Sequence, residues 1–171
     1  MLLLTMSPNA VYGRPRAGLI DDEGNYTMDM TGKTVMITGA SRVIGAEAAR
    51  VYADAGANVV LMARSQDAIA DLAGEIGKQA IAIPCNVARF GEMSSAVETV
   101  LGAFGRGDVL INNAARDPRI ALEDVTVKAW DDLFAANIRA QFLTCREASP
   151  HLAKGASIIN FSSITIQVAL M

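Results

Sequence analysis

From Gly32 onward the chain alternates between short continuous apolar runs and longer stretches whose apolar residues recur every three or four positions. The runs Thr34–Thr38, Asn58–Ala63, Ala80–Cys85, Asp108–Asn112 and Ala156–Phe161 predict strands, and the stretches at about 44–55, 66–76, 90–104 and 128–152 predict helices. In the third helical stretch Met93, Ala96, Val97, Val100, Leu101 and Phe104 form an apolar stripe. The fourth repeats the pattern with Trp130, Leu133, Phe134, Ile138, Phe142 and Cys145. Strands with little polar alternation, separated by amphipathic helices, belong to a parallel sheet buried on both faces and joined by right-handed crossovers. The expected class is α/β.

Residues 1–30 break this rhythm. Pro8, Gly13, Pro15, Gly18, Gly24 and the acidic Asp21-Asp22-Glu23 punctuate them without a sustained period, so they read as a flexible arm before a domain at 31–171. Met28 and Met30 stand where the folded pattern begins, so the arm is expected to be largely an upstream extension of an ordinary start. At 171 residues, 51% apolar and with a mean hydropathy of +0.28, the chain is most simply one domain with a substantial core. A net charge of −3 and pI near 5.1 give no reason to expect nucleic acid or an anionic membrane as partner. No apolar run approaches the ~20 residues that span a bilayer, and Met1-Leu2-Leu3-Leu4 is too short for a signal segment. Cys85 and Cys145 have no metal-type spacing and read as small hydrophobes in a reducing compartment. His151, near a helix end, reads as a favourable charge for the helix dipole rather than a catalyst. A soluble, cytoplasmic domain is expected.

The chemistry concentrates in Thr38-Gly39-Ala40-Ser41-Arg42-Val43-Ile44-Gly45. This segment leaves a strand and opens a helix, so free backbone N–H groups and the positive end of a helix dipole converge where a pyrophosphate can sit. Gly39 suits a tight turn, and Gly45 suits close packing of the helix on the sheet. Asn112 and Asn113 end a buried strand, where their amides can either satisfy neighbouring backbone groups or touch a ligand. Asn137 follows Trp130 by seven residues on the apolar stripe, so it is expected to face inward, where a buried amide needs partners. Ser163 ends the strand beginning at Ala156, on the carboxyl edge where open α/β sheets bind ligands. Ser162 competes for the same role.

Together these segments resemble the short-chain dehydrogenase/reductase family from about Thr31 to Ser163. Four signals stand in the family's order: the glycine turn at Thr38–Gly45, Asp108-Val109-Leu110-Ile111-Asn112-Asn113-Ala114-Ala115, Asn137 on its helix, and Ile158-Ile159-Asn160-Phe161-Ser162-Ser163. The resemblance implies a Rossmann-like doubly wound parallel sheet, with about five strands present and the later ones missing. It implies hydride transfer between a nicotinamide dinucleotide and a small-molecule carbonyl or alcohol. Asn137 would order a water in a proton relay, and Ser163, which alone is in the family's register, would polarise the carbonyl. Cofactor contacts would come from Gly39, Ser41, Arg42, Ile44, Gly45, Arg64, Asn86, Val87, Asn113 and Ala114. An NAD-preferring member carries an acidic residue closing the second strand; here Ala63 stands there, flanked by Arg64 and with Arg42 in the turn. Two guanidiniums and no carboxylate suit a 2′-phosphate, favouring NADP(H) over NAD(H). The competing reading is that both arginines are solvated surface charges. Association into a homo-oligomer through the fourth and fifth helices is common in the family.

The chain also departs from the pattern. Val43 replaces the glycine that lets backbone approach the pyrophosphate, and at positive φ it would be strained by about 1–2 kcal/mol. Ala115 replaces a glycine, and Asn86 replaces an aspartate that in the family contacts adenine. The family's acid is a tyrosine about a dozen residues beyond the serine, with a lysine four further on that lowers its pKa. Tyr12, Tyr26 and Tyr52 all lie far upstream, and none has that lysine. The sequence thus reads as an oxidoreductase ending early, with little or no turnover expected of these 171 residues and an exposed edge at Ala156–Phe161. The alternatives are a non-catalytic nucleotide-binding or interaction protein, and a non-functional fragment.

Overall fold

The computed structural model describes residues 3–6, 19–20 and 26–162. Three short strands precede the repeating part: β1 (Leu3–Met6), β2 (Leu19–Ile20) and β3 (Tyr26–Thr27), the last two forming a small antiparallel pair. Then come β4 (Thr34–Thr38), α1 (Val43–Asp54), β5 (Asn58–Ala63), α2 (Gln66–Ile76), β6 (Ala80–Pro84), α3 (Glu92–Phe104) and β7 (Gly107–Asn112). A 3₁₀ turn at Leu122–Asp124 leads to α4 (Val127–Phe134), a π-helical turn (Ala135–Arg139), α5 (Ala140–Ala148) and β8 (Leu152–Phe161).

The sheet runs β1-β8-β7-β4-β5-β6, with five strands parallel and β1 antiparallel at one end. The chain moves outward from β4 through β5 to β6, then crosses to β7 and β8 on the other side. The order therefore reverses between β4 and β7, the place where open α/β sheets form a ligand crevice. The fold is the Rossmann-like one expected from the sequence.

Alternation along the strands sorts the core into two layers. Val35, Ile37, Val59, Leu61, Val109 and Ile111 pack under Ala46, Ala49 and Ala53 of α1 and Ile69 and Leu72 of α2. Met36, Val60, Met62 and Leu110 meet Met93, Ala96, Val97 and Val100 of α3 on the opposite face. The central strands β4, β5 and β7 are buried on both sides because each side meets a helix layer. At the amino end of the sheet, the buried Asp108 accepts hydrogen bonds from the Thr34 N–H (3.0 Å) and from Arg106 Nε (2.7 Å), with Lys33 Nζ at 3.5 Å. Burial alone would raise this carboxyl's pKa, but the Arg106 guanidinium, the Thr34 N–H and Lys33 outweigh it and hold it below the usual value.

The structure corrects three expectations. β8 starts at Leu152 rather than Ala156, because a bulge precedes its regular pairing, which resumes at Val109 opposite Ser157. It is not an open edge, because Leu3–Met6 pairs along it antiparallel, in register from Leu3↔Phe161 to Met6↔Ile158. The fourth helix is interrupted at Ala135–Arg139, and most of its apolar stripe faces outward: Trp130, Phe134, Ile138 and Phe142 are 43% to 61% exposed, while Leu133 is half-buried and Cys145 packs on the core. No helix among the described residues is long and apolar enough to cross a membrane.

Candidate functional site

The turn after β4 is held by a latch from the end of β7. Asn113 Nδ2 donates to the carbonyls of Thr38 (3.1 Å) and Gly39 (3.2 Å). The backbone N–H groups of Asn113 and Ala114 donate to Thr38 Oγ1 at 3.0 and 3.1 Å, and that hydroxyl donates to the Ile111 carbonyl. The N–H groups of Gly39 and Ala40 both reach the Met62 carbonyl on β5 (2.7 and 3.2 Å). The turn is thus tied to both neighbouring strands.

Its glycines are sterically required. Gly39 has φ +69°, and a Cβ there would come within 2.8 Å of Ala114 Cα. A Cβ on Gly45 would meet the Gly39 carbonyl oxygen and stand 2.7 Å from Asn113 Nδ2. Between them, Val43 adopts φ +46° with its side chain 74% exposed. The first intrahelical bond of α1 is Ala46 N–H to the Arg42 carbonyl (3.4 Å), and no side chain caps this helix start. The N–H groups of Val43, Ile44 and Gly45 precede this first intrahelical donor.

A crevice of about 540 Å³ opens above this turn at the carboxyl edge of the sheet. Of the residues singled out in the sequence, Gly39, Ser41, Arg42, Ile44, Arg64, Asn86, Val87, Asn113 and Ala114 line it, as does Val43. Gly45 lies behind the lining, packed on Gly39 and Asn113. Arg42 and Arg64 are both exposed, and neither is paired with a carboxylate among the described residues. Asn86 closes a small turn, its Oδ1 accepting from the Ala88 N–H (3.2 Å) while its own N–H donates to Glu92 Oε2 (2.6 Å). Cys85 also lines the crevice; burial, reinforced by the Glu92 carboxylate, pushes its thiol up to about 11.

Asn137 is not part of the lining. It sits half-buried in the π-helical turn, where its Oδ1 accepts from the Arg116 N–H (2.7 Å) and its Nδ2 donates to the Arg116 carbonyl (2.8 Å). Both ends of the amide are occupied by one backbone segment, and that segment lies two residues past Ala114. Ser163 lies outside the described residues. Ser162, its competitor, is exposed just after β8.

Sequence reasoning missed Ser65, Arg116 and Asp132, which also line the crevice. Ser65 and Arg116 directly follow residues that were singled out, so adjacency alone could have flagged them. Asp132 could not be found that way: it arrives from α4, where it contacts Lys128 Nζ (2.7 Å) and Arg116 Nη1 (3.4 Å).

Residues 33–170 match the short chain dehydrogenase family. The chain is 37% identical over 145 residues to an uncharacterised oxidoreductase of Methylorubrum extorquens, covering 82% of this chain and 58% of that protein. It is 34% identical over 142 residues to a probable galactose dehydrogenase of Rhizobium meliloti, covering 80% and 56%. Among solved structures it resembles a 3-ketoacyl-(acyl-carrier-protein) reductase from Brucella melitensis complexed with NADH. That likeness has a TM-score of 0.69 at 31% identity, covering 72% of this chain and 51% of the other. The chain spans little more than half the length of these relatives.

Proposed function

The chain belongs to the short chain dehydrogenase family, and from this premise we propose that it forms the dinucleotide-binding part of an oxidoreductase that takes NADP(H) in preference to NAD(H). The observation that carries the reading is the convergence of the latched glycine turn, Arg42, Arg64 and the Asn113–Ala114 strand end on one crevice. The residues present fit such a group. The uncapped start of α1 offers N–H donors to a pyrophosphate, and Asn86 and Val87, on the lining beyond β6, would meet the adenine. Arg42 and Arg64, which no carboxylate among the described residues engages, would supply guanidiniums for a 2′-phosphate, and Ala63 leaves no carboxylate at the end of β5 to receive a ribose hydroxyl.

When bound, the nicotinamide would supply or accept a hydride, with a small carbonyl or alcohol compound as partner. Asn137 would serve the proton relay through the π-helical turn it occupies, since its side chain is already committed to Arg116. Ser163 would polarise the carbonyl. The exposed stripe of Trp130, Phe134, Ile138 and Phe142 supports association as a homo-oligomer.

A second reading, dinucleotide binding without catalysis, is favoured by Val43, which stands at positive φ in the turn where close approach to a pyrophosphate calls for glycine. Calorimetric titration of the 171-residue chain separates the cases. NADPH is expected to bind about tenfold more tightly than NADH, and Arg42→Ala with Arg64→Ala to erase that difference. Equal affinities for the two dinucleotides would contradict the preference, and steady NADPH oxidation with a carbonyl substrate would contradict the non-catalytic reading.

A further inference from the structure

We propose that Val43, strained in the turn, is a brake on the phosphate end of the crevice: its side chain shields the helix-start donors, so that this chain holds its dinucleotide more weakly than the same turn with glycine would. The proposal rests on the functional reading above.

Among the described residues, Val43 (φ +46°) and Arg119 (φ +48°) are the non-glycine positions in the left-handed region. A β-branched residue is the least suited to that conformation, because its branch crowds the following carbonyl. Strain of this kind usually persists where packing over-determines the side chain. Packing does not hold Val43, whose side chain is 74% exposed. The backbone path is imposed from both sides instead. Upstream, Gly39 is fixed by the Asn113 latch and the Met62 carbonyl. Downstream, Gly45 is pressed against Gly39 and Asn113 so closely that no Cβ fits. Residue 43 must follow the path these contacts dictate, with Arg42 before it fully extended (φ −166°, ψ 164°).

The consequence for binding follows from position. Val43 opens α1 and lines the crevice, so its isopropyl group stands beside the uncapped N–H groups that an anion must approach. Its two methyl groups keep a phosphate at a distance from those donors. This shielding contributes nothing to the core.

The test compares Val43→Gly and Val43→Ala with Val51→Gly, a control at an exposed position of the same helix. Val43→Gly is expected to bind NADPH about tenfold more tightly and, without cofactor, to melt at or above the wild type despite the greater freedom glycine gives the unfolded chain. Val43→Ala removes the branch but keeps a Cβ at positive φ, so it should tighten binding partway without raising the melting temperature. Val51→Gly should lower the melting temperature, as glycine does inside a helix, and leave affinity unchanged. A Val43→Gly chain that binds no tighter than wild type, or that melts as low as Val51→Gly, overturns the brake. If no variant binds either dinucleotide, the functional reading falls and the brake with it, while the melting order still reports whether the turn is strained.

Discussion

Asn113 answers a question its position left open. An amide at the end of a buried strand can serve a ligand or the fold, and both uses require the same residue at the same place. Here its Nδ2 is committed to the Thr38 and Gly39 carbonyls, so its primary work is to hold the turn that others use. Asn137 behaves similarly, gripping the Arg116 backbone rather than facing an enclosed core. Asp108 is a third anchor, and the direction of its shift makes it testable. Because its folded pKa lies below the unfolded value of about 3.9, its contribution is fully present above that pH and is lost as pH falls through the lowered folded value. Asp108→Asn should therefore cost about 1–3 kcal/mol at neutral pH, with the deficit shrinking as pH drops below about 4. Urea unfolding of both proteins at the two pH values measures this; a deficit that stays constant into acid would refute the role given to the carboxylate. The sequence marked these three residues but not their partners, since a hydrogen bond between positions 38 and 113 leaves no local trace.

At the level of elements, apolar periodicity located β4, β5 and α2 at their observed limits, because each is bounded by turn residues and packs on a complete neighbour. It located β8 late, since the bulged half from Leu152 carries Lys154 and Gly155 and does not look like a strand. It also misread the stripe on α4 and α5. A period of 3.6 shows that one helix face is apolar, but not whether the same chain covers it. The α3 stripe is buried under the sheet, whereas Trp130, Phe134, Ile138 and Phe142 point outward, the first two with rings stacked at 4.5 Å. Replacing Ile138 and Phe142 with Glu should leave the circular dichroism spectrum intact and weaken self-association by more than about tenfold in sedimentation equilibrium. Unchanged association would remove that face from any interface.

For the molecule as a whole, the two apolar layers and the crossover between β4 and β7 explain why the crevice lies where it does. Two strands that diverge to opposite sides leave a gap at their carboxyl ends, and the turn after β4 and the latch after β7 line it. This much of the site could be read from the sequence, because glycine turns and strand ends are local. What could not be read is the contribution of α4 and the π-helical turn after it, which bring Asp132, Ala135 and Ala136 to the same crevice from a separate part of the chain. The most direct test of the account is backbone amide mapping by NMR as NADPH is added to the 171-residue chain. The largest shifts are expected at Gly39–Gly45, at Arg64 and Ser65, at Asn86 and Val87, and at Asn113 and Ala114. Shifts centred instead on the shallow groove beside Phe90 and Thr99, or on the α4–α5 stripe, or none at saturating NADPH, would contradict it.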